Sequence, residues 1–98
     1  MDEVSLLKLS IQRALLGQVT ENLLGVTCRI ANSKISIWSY FSDCARPQDK
    51  EAMSEVASEV IADFADSYLL EDRNIVDAQE PLVRLDFWVF VRAGVNVT

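Results

Sequence analysis

Apolar residues repeat with two different periods along this chain, and the alternation between the periods limits the fold more than any other feature. Residues 4–16 carry apolar side chains at helical spacing and stop before Gly17, a residue type that commonly ends helices. The same spacing returns from Pro47 to Ala65, with proline in the first turn, where helices tolerate it. The sequence therefore predicts two amphipathic helices.

The first pair of strand-like segments follows the first helix. Residues 24–30 and 35–41 alternate with a period of two, which is typical of strands with one buried face. Only a short polar break at Asn32-Ser33 separates them. We therefore expect a β-hairpin.

A second pair of candidate strands follows the second helix. Residues 68–76 are a weak candidate because charged residues interrupt them, Asp77–Pro81 predicts a turn, and residues 82–91 are rich in β-branched and aromatic side chains. The order is then αββαββ, which predicts an α+β fold in a single domain of residues 1–98. The simplest packing for this order is an antiparallel four-stranded sheet with both helices on one face.

The residue types that the chain lacks exclude several kinds of chemistry. It has no histidine, and hence no Ser–His or Cys–His nucleophile pair and no imidazole metal ligand. Glu55 and Glu59 could share a proton or a cation, but no nucleophile motif or Gly-rich loop accompanies them. Cys28 reads as a buried hydrophobe, whereas Cys44 lies in a polar connection and could be a reactive thiol. We expect a non-catalytic protein without a cofactor or metal.

The N-terminus and the apolar runs bear on location. The chain opens with Met1-Asp2-Glu3, unlike the basic start of a secretory signal. No apolar run approaches the roughly 18 residues that a membrane span requires. We therefore expect a cytoplasmic protein that makes no contact with a membrane.

Negative charge is concentrated in the second half of the chain. Residues 1–50 hold five acidic and six basic side chains, for a net charge of +1, whereas residues 51–98 hold ten and three, for −7. Four of the acids recur every fourth residue and would form one line on a helix: Glu51, Glu55, Glu59 and Asp63. We call these four residues the acidic ridge. Three like-charge pairs at this spacing cost about 1 kcal/mol together.

Two interpretations of the acidic ridge remain open at this point. A solvated helix face would also carry such charges, and it would help to keep an acidic protein soluble. A docking surface for a basic partner would use the same charges to speed association and to reject wrong partners.

The sheet face opposite the helices is a second candidate surface. If Ile35, Ile37, Leu85 and Phe87 face the helices, this face carries Trp38, Tyr40, Trp88, Phe90, Arg29, Arg84 and Arg92. Aromatic residues and arginine are enriched at the centres of interfaces. Bases of nucleic acid could stack on such a face, but the net charge of −6 argues against phosphate binding. Loops or the chain termini could instead cover it.

Five short segments resemble a family of small bacterial proteins. They are Ile11-Gln-Arg-Ala-Leu-Leu-Gly-Gln-Val-Thr-Glu-Asn-Leu; Tyr40-Phe-Ser-Asp with Ser54-Glu-Val-Ala-Ser-Glu-Val-Ile-Ala-Asp-Phe; and Glu80-Pro-Leu with Trp88-Val-Phe-Val-Arg. Some members resemble immunity proteins of toxin–immunity systems, including contact-dependent growth inhibition. The resemblance implies a protein that binds one cognate toxin, often a basic nuclease, and blocks it. The chain departs from the family pattern at Trp38, where a charged residue is usual, and in its last six residues.

These observations give one hypothesis and one alternative. The hypothesis is stoichiometric inhibition of a cognate protein toxin with a basic surface. The partner-binding residues would be Glu51, Glu55, Glu59, Asp63, Asp66, Glu71, Asp72, Trp38 and Trp88. The alternative is a non-catalytic homo-oligomeric scaffold that pairs through the aromatic sheet face. The sequence leaves open which surface is used, and whether the protein is a monomer or a homodimer.

Overall fold

The computed structural model describes all residues, 1–98, and arranges them as two helices on a four-stranded sheet. The elements are α1 (Glu3–Leu15), β1 (Leu23–Ala31), β2 (Lys34–Phe41), α2 (Pro47–Ala62), β3 (Leu69–Ile75) and β4 (Phe87–Val91). The predicted order of two helices and four strands is confirmed. α1 packs on β1 and β4 and α2 on β2 and β3, so both helices lie on one face of the sheet.

β1 and β2 form the predicted hairpin. Their antiparallel pairing places Cys28 opposite Ile37 and Ile30 opposite Ile35. The turn residues Asn32 and Ser33 have φ values of 53° and 59°. Two consecutive positive φ angles match the right-handed twist of the flanking strands, which is why two-residue hairpins favour them.

The expectations of a second hairpin and of a purely antiparallel sheet are both wrong. The strand order is β3-β2-β1-β4, so β3 and β4 lie at opposite edges of the sheet. β3 runs parallel to β2, and β4 runs antiparallel to β1. The cause is α2, which carries the chain from the end of β2 back along the sheet, so that the next strand enters in the direction of β2.

The core lies between the helices and the sheet. α1 contributes Leu7 and Ile11, and α2 contributes Met53, Val56 and Val60, all of them almost completely buried. These α2 residues belong to the apolar series between Pro47 and Ala65 whose helical spacing predicted an amphipathic helix. The burial of one face of α2 leaves its acidic ridge on the side that remains in water.

The last part of the chain covers much of the opposite sheet face. The Leu82 side chain is 1% exposed and lies over Gly25, where a Cβ atom would come within 3.4 Å of Leu82 Cδ1. The Tyr40 hydroxyl donates a hydrogen bond to the carbonyl oxygen of Val83 (2.6 Å). The backbone N–H of Thr98 donates to the carbonyl oxygen of Leu82 (3.0 Å), which ties the C-terminus into the same layer. We call residues 82–86 and 96–98 the covering segment.

Phe90 is not on this outer face, contrary to the sequence prediction. The pairing of β1 with β4 shifts register between Val26 and Thr27, which leaves Trp88 opposite Thr27 but brings Phe90 opposite Val26. Val26 belongs to the core, and Phe90 packs against the core. An irregularity of this kind turns the following side chains to the other face, and a strict period of two cannot anticipate it.

The covering segment should contribute measurably to stability. Leu82→Ala should lower the free energy of unfolding by about 2–5 kcal/mol, because it removes a fully buried side chain. Val83→Ala is the matched control, since Val83 is 57% exposed. Urea unfolding of both variants measures the difference, and equal, small effects would show that residue 82 does not cover the sheet.

Candidate functional site

The acidic ridge lies along the exposed side of α2. Glu51, Glu55 and Glu59 are all exposed, and Asp63 is the exposed residue that caps the end of the helix. Two serines, Ser54 and Ser58, lie between the glutamates and line a shallow groove with them. The ridge is therefore a polar surface, and no apolar side chain lines its groove.

The ridge winds around α2 and reaches α1 at its end. Four residues advance a helix by about 40° beyond one full turn, so three such steps rotate the row by about 120°. Asp63 Oδ2 consequently accepts hydrogen bonds from Ser10 Oγ (2.6 Å) and Arg13 Nη2 (3.4 Å) of α1. The carboxylate of Asp63 thus links the two helices.

The carboxylates of the ridge differ in what they contact. Glu55 Oε2 accepts a hydrogen bond from Gln18 Nε2 (3.2 Å). Glu51 and Glu59 form no hydrogen bond or salt bridge through their side chains. Arg13, through Asp63, is the one basic residue that pairs with the ridge. Most of the negative charge of the ridge is therefore not neutralised within the chain.

Asp49 fixes the start of α2, a role that was not predicted from the sequence. Its side chain is almost completely buried and accepts hydrogen bonds from the Arg46 backbone N–H (2.8 Å) and from Asn22 Nδ2 (3.0 Å). The pKa of Asp49 lies below its ordinary value of 3.8. The hydrogen bond from the Arg46 N–H is the largest cause, and the hydrogen bond from Asn22 is the second. An acid in the first turn after Pro47 was the available signal, since this position can cap the helix start. Asp49 thereby ties α2 to the chain just before β1.

The predicted acids that follow α2 do not join the ridge on one surface. Asp66 is exposed in the turn that leads to β3. Glu71 and Asp72 are neighbours on a strand and so point to opposite faces. Glu71 lies on the outer face, where bonds from Trp38 Nε1 (3.2 Å) and Lys34 Nζ (3.2 Å) lower its pKa. Asp72 lies beside Ile37 on the helix face, and partial burial raises its pKa.

The two predicted tryptophans are half-buried and have partners within the chain. The Arg73 guanidinium lies over the Trp38 ring at 4.7 Å. Trp88 packs beside Tyr40, with ring centroids 6.0 Å apart, and its indole N–H donates to the Thr98 carbonyl oxygen (3.2 Å). The aromatic face is therefore not a continuous open surface.

The cysteines differ in exposure, as the sequence suggested. Cys28 is fully buried, and burial raises the pKa of its thiol to about 12. Cys44 is exposed, but its Sγ donates to the Asp43 carboxylate (3.5 Å), and this contact raises the pKa of the thiol. Because the thiolate is the nucleophile, Cys44 is poorly activated.

No group of three or more His, Cys, Asp or Glu side chains is placed to hold a metal ion. Neither helix has the length and apolar character that crossing a bilayer would require.

The contacts of Asp49 predict a specific dependence of stability on pH. Its pKa is lower in the folded chain than in the unfolded chain, so its contribution is complete above pH 3.8 and is lost as the pH falls through the folded value. Asp49→Asn should destabilise the protein at neutral pH, and this difference should shrink under more acidic conditions. Urea unfolding of the variant and of the unmodified protein, from neutral to acidic pH, measures this difference in the free energy of unfolding. Asp43→Asn is the exposed control. A difference that stays constant into strong acid would contradict the assignment.

One comparison with known proteins identifies a family for this chain. The sequence model of a family described as MafI2 immunity protein matches residues 4–94. A search of curated proteins finds no match. The match runs from α1 to beyond β4, and it supports the resemblance to immunity proteins of toxin–immunity systems. Since it covers nearly the whole fold, this chain belongs to the MafI2 immunity protein family.

Proposed function

We propose that this protein neutralises a cognate toxin by stoichiometric occlusion, with the acidic ridge bound to a basic surface of the toxin. Membership of an immunity protein family supports a toxin as the partner. The observation that carries the choice of surface is the exposed row of glutamates on α2, of which Glu51 and Glu59 have no partner within the chain.

The energetics of the ridge favour a basic partner. Repulsion between like charges four residues apart costs the isolated helix about 1 kcal/mol over three pairs. Lysine or arginine side chains of a partner would relieve that repulsion on binding. The ridge also lies on a helix whose other side is fixed in the core, so little conformational entropy is lost when its backbone is bound.

The geometry of the ridge suits a toxin that acts on nucleic acid. Successive carboxylates on α2 are separated by about 6 Å of helical rise. A regular line of negative charge resembles a phosphate backbone as an electrostatic target, and nuclease surfaces are basic for that reason. The inhibitor would then occupy the substrate surface and would need no catalytic group of its own.

The remaining predicted contacts have secondary roles in this proposal. Asp66 extends the negative surface beyond the end of α2, whereas Glu71, Asp72, Trp38 and Trp88 lie away from the ridge. The protein would act in the cytoplasm, in a system of the contact-dependent growth inhibition type, in line with the resemblance seen in the sequence.

The alternative of a scaffold that pairs through the aromatic sheet face finds less support. The covering segment already occupies the surface around Tyr40 and Trp88. Phe90, which was expected to enlarge that surface, packs against the core instead.

Charge reversal on the ridge should abolish tight binding. The double variant Glu55→Lys with Glu59→Lys should weaken the complex by about a hundredfold or more, because two attractive charge contacts become repulsive. Isothermal titration calorimetry against the toxic domain of the cognate toxin measures the affinity.

A matched control separates this local effect from the change in net charge. The double variant Glu3→Lys with Asp86→Lys changes the net charge equally, at two exposed positions outside the ridge. It should bind the toxin nearly as tightly as the unmodified protein. Equal losses in the two double variants, or no loss in either, would contradict the proposed contact surface.

A further inference from the structure

β3 presents an open sheet edge. It is the outermost strand beside β2, and all seven of its residues are exposed or half-buried. The Leu69 N–H points towards β2, since it donates to the Ser33 carbonyl oxygen (2.9 Å). Because backbone groups alternate in direction along a strand, Leu70, Asp72 and Asn74 turn their N–H and C=O groups to the open side. Such an edge is a template for another strand.

The sequence of this edge is complementary to itself. In an antiparallel pairing of two copies centred on Asp72, Leu69 lies opposite Ile75 and Glu71 lies opposite Arg73. Each of these pairs occurs twice because of the two-fold symmetry. We propose that β3 pairs with β3 of a second copy of this chain, which joins the two sheets into one continuous sheet.

The outward backbone groups fit this register. Leu70 would face Asn74 of the second copy, and Asp72 would face its own equivalent. These are the positions at which antiparallel strands exchange two hydrogen bonds per pair, so three pairs give about six bonds. Glu71 and Arg73 then occupy the intervening positions, where opposed side chains come closest.

Charge selects this register over its neighbours. The strand register could shift in either direction by the smallest step that keeps the backbone hydrogen bonds. Such a shift would place Glu71 opposite Glu71 or Arg73 opposite Arg73. Like charges directly opposite one another are destabilising. Both side chains are already held on the outer face by Trp38, through a hydrogen bond of 3.2 Å to Glu71 and a stacking distance of 4.7 Å to Arg73. Little further ordering is needed for them to pair across the axis.

One contact opposes the dimer, and it is made by the two copies of Asp72. Asp72 would meet its own equivalent on the two-fold axis, which weakens the association.

The ridge contacts Ser10, Arg13 and Gln18 of the α1 side, whereas β3 lies beyond β2 on the other side of α2. Dimerisation therefore leaves the ridge free, and this proposal can fail while the proposed toxin contact holds, or the reverse.

A charge exchange tests the pairing. Glu71→Arg alone and Arg73→Glu alone should each weaken dimerisation about tenfold, and the double variant that exchanges the two charges should restore it. Asp86→Arg, Arg84→Glu and their combination form the matched control, since these residues have the same spacing outside β3. Sedimentation velocity over a range of concentrations measures the dimer, with urea unfolding to verify the fold of each variant.

Two substitutions at Asp72 keep the test decisive if a charge variant does not fold. Asp72→Asn should strengthen the dimer, because it removes the one repulsive pair. Asp72→Pro should abolish it, because it removes an N–H that faces the open edge and takes no part in pairing with β2. A monomer at every concentration in both the unmodified protein and Asp72→Asn would overturn the proposal. A dimer that is insensitive to Asp72→Pro and to the charge exchange would overturn it equally.

Discussion

The packing of α2 against β2 and β3 is the contact on which the rest of this structure depends. Met53, Val56 and Val60 are buried completely or nearly so in the core, so the rotation of the helix about its axis is fixed. That rotation decides which acids reach solvent. The same crossover makes β3 parallel to β2 and places it at an edge, which leaves the far side of β1 for β4. The candidate surface and the open edge are thus both consequences of one packed helix.

Acidic side chains on and beside α2 have different roles because their surroundings differ. Asp49 is buried and accepts hydrogen bonds at the start of α2. Asp63 accepts hydrogen bonds from Ser10 and Arg13 at the end of α2. Both residues therefore hold the helix in place. Glu51 and Glu59 are exposed and have no partner within the chain. A count of charges along the sequence does not distinguish these four residues from one another. The structure separates those that stabilise the fold from those that are available to another protein.

The sequence predicted the parts of the fold that depend on local pattern. The helices and the first hairpin follow from periodicity and from the Asn32-Ser33 turn, and the row of acids follows from helical spacing. The neighbours of β3 and β4 could not be predicted, because strand pairing depends on contacts between residues far apart in the chain. The position of Phe90 depends on a register shift. Residues 82–86 were expected to begin the last strand, but β4 starts only at Phe87, and they belong to the covering segment instead. The ridge was predictable as a line of charge, but its contact with α1 through Asp63 required the tertiary structure.

We propose that the exposed carboxylates of α2 are the surface that meets the toxin. Carbodiimide labelling of carboxyl groups, read by mass spectrometry with and without bound toxin, tests it directly. We expect the labelling of Glu51, Glu55 and Glu59 to fall sharply in the complex, and the labelling of Glu3 and Asp86 to be unchanged. Undiminished labelling of the three glutamates, with protection elsewhere on the chain, would contradict it.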